Sequence, residues 1–326
     1  MINYESPTHV KDLVAELKMR SRELSDKNKH VVLVEGRTDI KIFSVIAGES
    51  NNAHAVELHI AGSRKNVIRG VQQISRCAGK HSKTPYGLVG IIDRDMEYRE
   101  EIPARVAYVS DQHDDLESAL VWLYGEIIMQ SLISPSDQSR VMGDQLISNN
   151  FAGLRLQVCQ PVTSLHVAIR DLHSTTKRKI CEFQGEQFIR KIIQSGQIDR
   201  SNQPHFTFES FVDQFGIHQH FPEDVICEAA KIHSKHTGQN SGAATWKLCH
   251  GKYLVTCIVY YLHNYYGQAL LDKRQTAENA TKETFDRLRN RCTSELFDHT
   301  GLTDKLLRIK ELDSPLKTNY LGLIGN

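Results

Sequence analysis

Acidic residues recur in this chain where apolar runs stop. Glu35 follows the run at 31–34 in "HVVLVEGRTDIKIF", and Asp39 lies one helical turn further on. Asp93 and Asp95 follow the next long apolar run in "GLVGIIDRDME", and Asp111, Asp114, Asp115 and Glu117 crowd into "VSDQHDDLES". Carboxylates gathered at one place repel, and some would hold protons unless a cation neutralised them. A hard divalent ion such as Mg2+ (or Mn2+) answers that need, taking one or two carboxylates and leaving its other positions to water and phosphate oxygens. Alternate residues of an extended strand point to the same side, so Asp93 and Asp95 face one spot if the strand continues through Arg94. Gly36, beside Glu35, lets backbone or phosphate come close. The structural alternative stands next to this, because an Asp at a strand end commonly forms a turn or caps a helix.

The elements that must position these groups follow from periodicity. "VVLVEG", "AVELHIAG", "GLVGIID" and "RVAYVSD" are short, β-branched runs, each ending in Gly or Asp, with helical stretches such as "TDIKIFSVIAG" and "NVIRGVQQISRCAG" between them. Strands that are apolar on both faces and alternate with helices indicate a parallel sheet covered by helices. In such sheets the functional crevice lies beyond the carboxyl ends of the strands, which is where the acids fall. After about residue 115 the strand signal fades, and "ESALVWLYGEIIMQSLI", "FTFESFVDQFG", "PEDVICEAAKIHSKH", "GKYLVTCIVYYLHNYYG" and "TKETFDRLRNRCTSELFDHTGL" favour helices. The expected plan is an N-terminal helix within 1–27, a Rossmann-like α/β domain over 28–125 with a largely parallel sheet, and a mainly helical region over 126–326.

Composition narrows the class. With 40 basic against 39 acidic residues, bulk charge neither demands nor excludes nucleic acid, so any such site must come from local patches. The seven cysteines are scattered and none falls in a C-x-x-C pair, which argues against a disulfide framework or a cysteine zinc site and suits a reducing cytosol. The N-terminus carries charges throughout, and "YLVTCIVYYL" is too short to span a bilayer. A soluble cytoplasmic protein without membrane partners is expected. No G-x-G-x-x-G or P-loop occurs, so nicotinamide binding and autonomous ATP hydrolysis are disfavoured.

"VEGRTD" followed by "IIDRD" resembles the TOPRIM domain of primases, type IA and II topoisomerases, small RNA-maturation nucleases and the OLD nucleases. The order "VEGRTD", "AGSRKNV", "DRD", "DDLES", "GKYL" is closer still to TOPRIM effectors of antiphage defence, of the kind found in PARIS systems. The resemblance covers about residues 28–125 and only vaguely the helical half. It implies a Mg2+-dependent nuclease in which Glu35 and the pair Asp93 and Asp95 bind metal, and Asp39 matches the acid that OLD-type members add. Glu117 falls at the glutamate of their "D-x-E-N-Y-L" stretch, where Ser118 and Ala119 replace the usual Asn-Tyr. Glu35 and Asp93 are the foremost ligands, with Asp95, Asp39 and Glu117 serving an outer ion or supporting the first set. The resemblance also implies tRNA as substrate, restraint by an ABC-type ATPase encoded nearby, and an active homodimer. The alternatives are a non-catalytic module that docks to an ATPase or nucleic acid, and an OLD-like DNA nuclease.

Other residues carry less. Arg64, Lys65 and Arg69 fall at or near a helix start, where phosphate binds well, and Lys65 is the expected phosphate contact. Arg94 is expected to pair structurally. The basic cluster "TTKRKICEF" reads as surface or as a steering patch for RNA. His113 lies within the acidic loop and could act as a general base, whereas the pairs His218/His220 and His233/His236 are expected to be surface or packing residues. The tyrosines of "VYYLHNYYG" are expected to pack rather than to attack phosphate.

Overall fold

The computed structural model describes residues 10–20, 23–24, 29–40, 43, 56–78, 87–96, 102–110, 112–149, 151–176, 183–200, 206–237, 248–267 and 276–291. Asp111, Trp246, Cys181, Cys292, residues 177–182 of the basic cluster and the tail beyond Pro315 lie outside them. The chain divides into two compact units. Among the described residues the first comprises those up to Arg94 together with 102–110, and the second comprises 95–96 and 112–291.

The first unit is α/β. Strands β1 (His30–Val34), β2 (Val56–Ile60), β3 (Gly87–Ile92) and β4 (Val106–Tyr108) form one sheet in the order β2-β1-β3-β4. Every pairing is parallel, with His30 opposite Val56 and Gly87, and Gly90 opposite Val106. β3 is buried along its whole length, as expected of an inner strand covered on both faces. Helices α1 (Val10–Met19) and α2 (Arg64–Ala78) contribute Leu13, Val14, Leu17, Val67, Val71 and Ile74 to one core with Val31, Leu33, Leu88 and Ile92 of the sheet. Helix α2 lies close to β3 because Gly90 has no side chain. A Cβ there would stand 2.7 Å from Val67 Cγ1 and 3.0 Å from Val71 Cγ2.

The second unit is helical. Its long elements are α3 (Leu116–Leu132), α4 (Gln160–Thr176), α5 (Gly185–Gln194), α6 (Phe208–Gln214), α7 (Glu223–Thr237), α8 (Gly251–Tyr265) and α9 (Ala277–Asn290), and a π-helical turn at Arg155–Cys159 leads into α4. Helix α8 is buried at every residue from Tyr253 to Leu262, the mark of a helix surrounded by others. It packs on α3, α5 and α9, while α4 pairs with α7. The tyrosines expected to pack do so, for Tyr261 is fully buried with its hydroxyl donating to Asp144 Oδ2 at 2.9 Å. Among the described residues no helix is long and apolar enough to cross a membrane.

Gly90→Ala should destabilise the chain by about 1–3 kcal/mol, the usual cost of overpacking a closed core. Urea denaturation would read this as a lower midpoint at unchanged slope.

Candidate functional site

In the first unit the chain runs from β1 outward to β2, then crosses back to place β3 on the other side of β1. The point where the order reverses therefore lies between the carboxyl ends of β1 and β3, where open α/β sheets bind their ligands. Glu35 and Asp93 are the residues immediately beyond those two strand ends. Glu35 Oε1 accepts the main-chain N–H of Asp93 at 3.0 Å, and both residues are half-buried. A strand end next to the β1 carboxyl end also supplies a turn: Gly62, at φ +90°, donates its N–H to the Glu35 carbonyl at 3.0 Å. Gly36 leaves open space, since a Cβ there would meet nothing among the described residues nearer than Asp39 Oδ2 at 3.8 Å.

The other expected residues are placed as follows. Asp39 Oδ2 accepts the N–H of Gly36 at 2.8 Å, reaching back over the first turn of the helical segment at 37–40 as one half of a capping box. Lys65 is exposed in the first turn of α2. Arg64 donates to the Arg94 carbonyl at 2.6 Å, and the buried Arg94 guanidinium lies 4.1 Å from the centre of the Tyr108 ring, so Arg94 pairs structurally as expected. Extended backbone does not continue past β3. Asp95 and Met96 adopt left-handed φ values of 51° and 60° in a turn, so strand alternation does not align Asp95 with Asp93. Asp95 is exposed. Glu117, in the first turn of α3, stands 3.9 Å from Arg289 Nη2 of α9. His113 is buried beside Trp122, with ring centres 5.9 Å apart, and His233 packs on Phe208 at 5.5 Å.

Among the described residues the one group of three or more acidic, His or Cys donors within 4.8 Å of each other is Asp114, Asp115 and His250. Glu35, Asp39 and Asp93 do not close to that distance. Asp115 is the N-cap of α3: its Oδ1 accepts the Ser118 N–H at 2.7 Å, and the Ser118 hydroxyl accepts the Asp115 N–H at 3.1 Å. The same carboxylate receives the N–H of Gly251, first residue of α8, at 3.1 Å on Oδ1 and 2.8 Å on Oδ2. His250 Nδ1 stands 2.6 Å from Asp115 Oδ2 and 3.7 Å from Asp114 Oδ2, while Asp114 Oδ1 accepts the Met96 N–H at 2.9 Å. Two helix starts thus converge on one buried anion. Gly251 is what lets them meet, for a Cβ there would lie 2.5 Å from Ser118 N and from Glu117 Cβ.

Burial raises the pKa of Asp115, but the His250 charge and the Gly251 and Ser118 amides outweigh it and hold it low. Burial likewise opposes the charge on His250, yet Asp115 and Asp114 keep its pKa well above the ordinary value. Asp114, buried and beside a second carboxylate, is pushed up to about 6. The group suits a proton better than a metal ion. Zinc ligands about 2.0–2.2 Å from the ion stand more than about 3 Å apart in tetrahedral geometry. The closest pair here is nearer than that, and Asp115 already has both oxygens engaged by main-chain donors.

No protein-family model and no curated protein matches this chain.

Sequence reasoning placed Asp114 and Asp115 in an acidic loop but did not foresee their burial or the part played by His250. The local signal was present, since Asp115 directly precedes the apolar run "LESALVWL" as an N-cap does. Its partner comes from 136 positions away and leaves no local trace.

Asp115→Ala should destabilise by about 3–5 kcal/mol, because His250 loses its nearer counter-charge and the buried Ser118 and Gly251 amides lose their acceptor. The pH dependence has a defined sign. The Asp115 contribution is present above its ordinary carboxylate pKa and lost as pH falls through the depressed value. The His250 contribution is present below its ordinary value and lost as pH rises through the raised one. Asp114 adds a cost that grows as pH climbs towards about 6. Melting temperature should therefore decline as pH rises towards about 6, where Asp114 ionises, and decline again above the ordinary His value as His250 loses its proton. Asp114→Asn should remove the first of these declines.

Proposed function

We propose that this chain is a metal-dependent nuclease of TOPRIM type, cleaving RNA, with tRNA the favoured substrate, as an effector of antiphage defence. The observation that carries the proposal is the location of Glu35 and Asp93 at the switch point of a four-stranded parallel sheet, tied together through the Asp93 amide. Phosphate-bearing ligands bind at such points. Two half-buried carboxylates are also what Mg2+ requires of a protein, the remaining positions belonging to water and phosphate. Glu35 and Asp93 would hold the ion, which when bound supplies charge neutralisation and an activated water. Lys65, exposed in the first turn of α2, is suited to a phosphate oxygen at a helix N-terminus. The defence setting, restraint by an ABC-type ATPase and an active homodimer come from the resemblance of "VEGRTD" and "IIDRD" alone.

A second reading, a TOPRIM-like module that binds without turnover, gains support from Asp39. Its carboxylate caps a helical turn and does not join Glu35 and Asp93 in a three-carboxylate group.

Incubation of the purified chain with total tRNA or duplex DNA, in Mg2+ or Mn2+, separates the readings. Glu35→Ala and Asp93→Ala should each cut the rate by more than the roughly 10–100-fold typical of residues that merely orient a metal ligand. Lys65→Ala should weaken substrate binding and leave the maximal rate largely intact. Full activity in Glu35→Ala would sink the nuclease reading. Silence of the chain on both substrates, together with toxicity when it is expressed alone, would point to a missing activator, and silence without toxicity to the binding module.

A further inference from the structure

The second unit holds a cleft of about 410 Å³ that none of the chemistry above uses. One wall is a single stripe of helix α5 and its N-cap. Gln184, Gln187, Phe188 and Lys191 are spaced at i, i+3, i+4 and i+7, and all line the cleft. Phe183, Phe215, His220 and Phe221 line it as well. Phe188 is half-buried in a cluster of rings: its ring centre is 5.5 Å from Phe221 at an interplanar angle of 84°, 6.1 Å from His220 at 83° and 5.8 Å from Phe183 at 59°. A half-buried ring held by three ring neighbours is rigid rather than a loose surface aromatic. Around it the side-chain amides of Gln184 and Gln187 and the ammonium of Lys191 are exposed, with no partner among the described residues.

We propose that this cleft is a nucleobase subsite for single-stranded RNA. The proposal rests on the nuclease reading for its choice of RNA and names how such a substrate would be gripped. Proteins that recognise single-stranded RNA splay bases onto aromatic faces and read their edges through hydrogen bonds. Glutamine amides offer both donor and acceptor, which matches a base edge, and a Lys at the rim matches the phosphate that follows it. The volume falls within the ordinary range for small-ligand sites, about 300–1,000 Å³. An apolar peptide side chain would leave the two amides and the ammonium without purpose, so a base is the better occupant.

The test is fluorescence anisotropy of a labelled single-stranded RNA in EDTA, so that binding is read without cleavage and independently of Glu35 and Asp93. Phe188→Leu keeps apolar bulk but removes the flat ring, and it should weaken binding about tenfold, within the range for loss of one base stack. The salt dependence should not change in that variant, because no ionic contact is lost. Lys191→Gln should instead reduce the slope of log K against log salt by about 0.7, the value for one phosphate on a single strand. Gln187→Ala, on an exposed helix position, guards against misfolding of the Phe188 variant and should also lose affinity. Wild-type binding retained in all three variants, equal competition by duplex RNA, or no binding of single-stranded RNA by the wild type would each overturn the proposal. Intact, ring-dependent binding together with absent metal-dependent cleavage and no toxicity on expression would leave the subsite standing and remove the nuclease reading.

Discussion

A carboxylate with helix starts on two sides sets the geometry of the second unit. The first amides of any helix lack partners within it, and when they are buried something must receive them. Asp115 does so for α3 through Ser118 and for α8 through Gly251. Helix dipoles add to the preference for negative charge there. His250, the residue just before α8, completes the compensation with its own charge. Since α8 is the element that α3, α5 and α9 all contact, its starting point fixes the packing of the rest of that unit.

The first unit solves a different problem with the same kind of group. There the parallel register brings the ends of β1 and β3 side by side, and the Glu35 carboxylate takes the amide of Asp93 just where β3 stops. The geometry beyond β2 is set by a left-handed turn at Gly62. One acid is therefore busy with the main chain and another half-buried beside it, next to Gly36, where a Cβ would meet no described residue nearer than 3.8 Å. Asp115 and Glu35 illustrate a single physical preference, that of carboxylates for unpaired main-chain N–H groups, used once to close a core and once to shape a sheet end.

Much of this was legible in the residues. The four β-branched runs became the four strands, and "ESALVWLYGEIIMQSLI" and "GKYLVTCIVYYLHNYYG" became α3 and α8, because period and length are local properties. The strand ends could be read as well, which is why Glu35 and Asp93 were found together. Arg94 also behaved as its position between two acids suggested, stacking on Tyr108. What escaped was of two kinds. The left-handed turn at Asp95 breaks the alternation that would have aligned it with Asp93, and non-glycine residues seldom announce such a turn. The union of Asp115 with His250 and Gly251 depends on packing between distant segments, so no spacing rule could disclose it.

The Asp115 arrangement has a consequence for how this sequence can drift. Nearly all the donors that satisfy the carboxylate belong to the main chain, and a backbone amide is untouched by substitution unless the new residue is proline. The side-chain choices that bear on the junction are the acid itself, the Ser118 hydroxyl that returns the cap, the His250 charge and the hydrogen at position 251, where a methyl group would collide with the start of α3. Among these, the acid and the glycine are coupled most directly: one determines that the helix starts attract, the other that they can touch. A homologue that replaced Gly251 would have to move α8 outward, and in doing so would forfeit the reason for keeping Asp115.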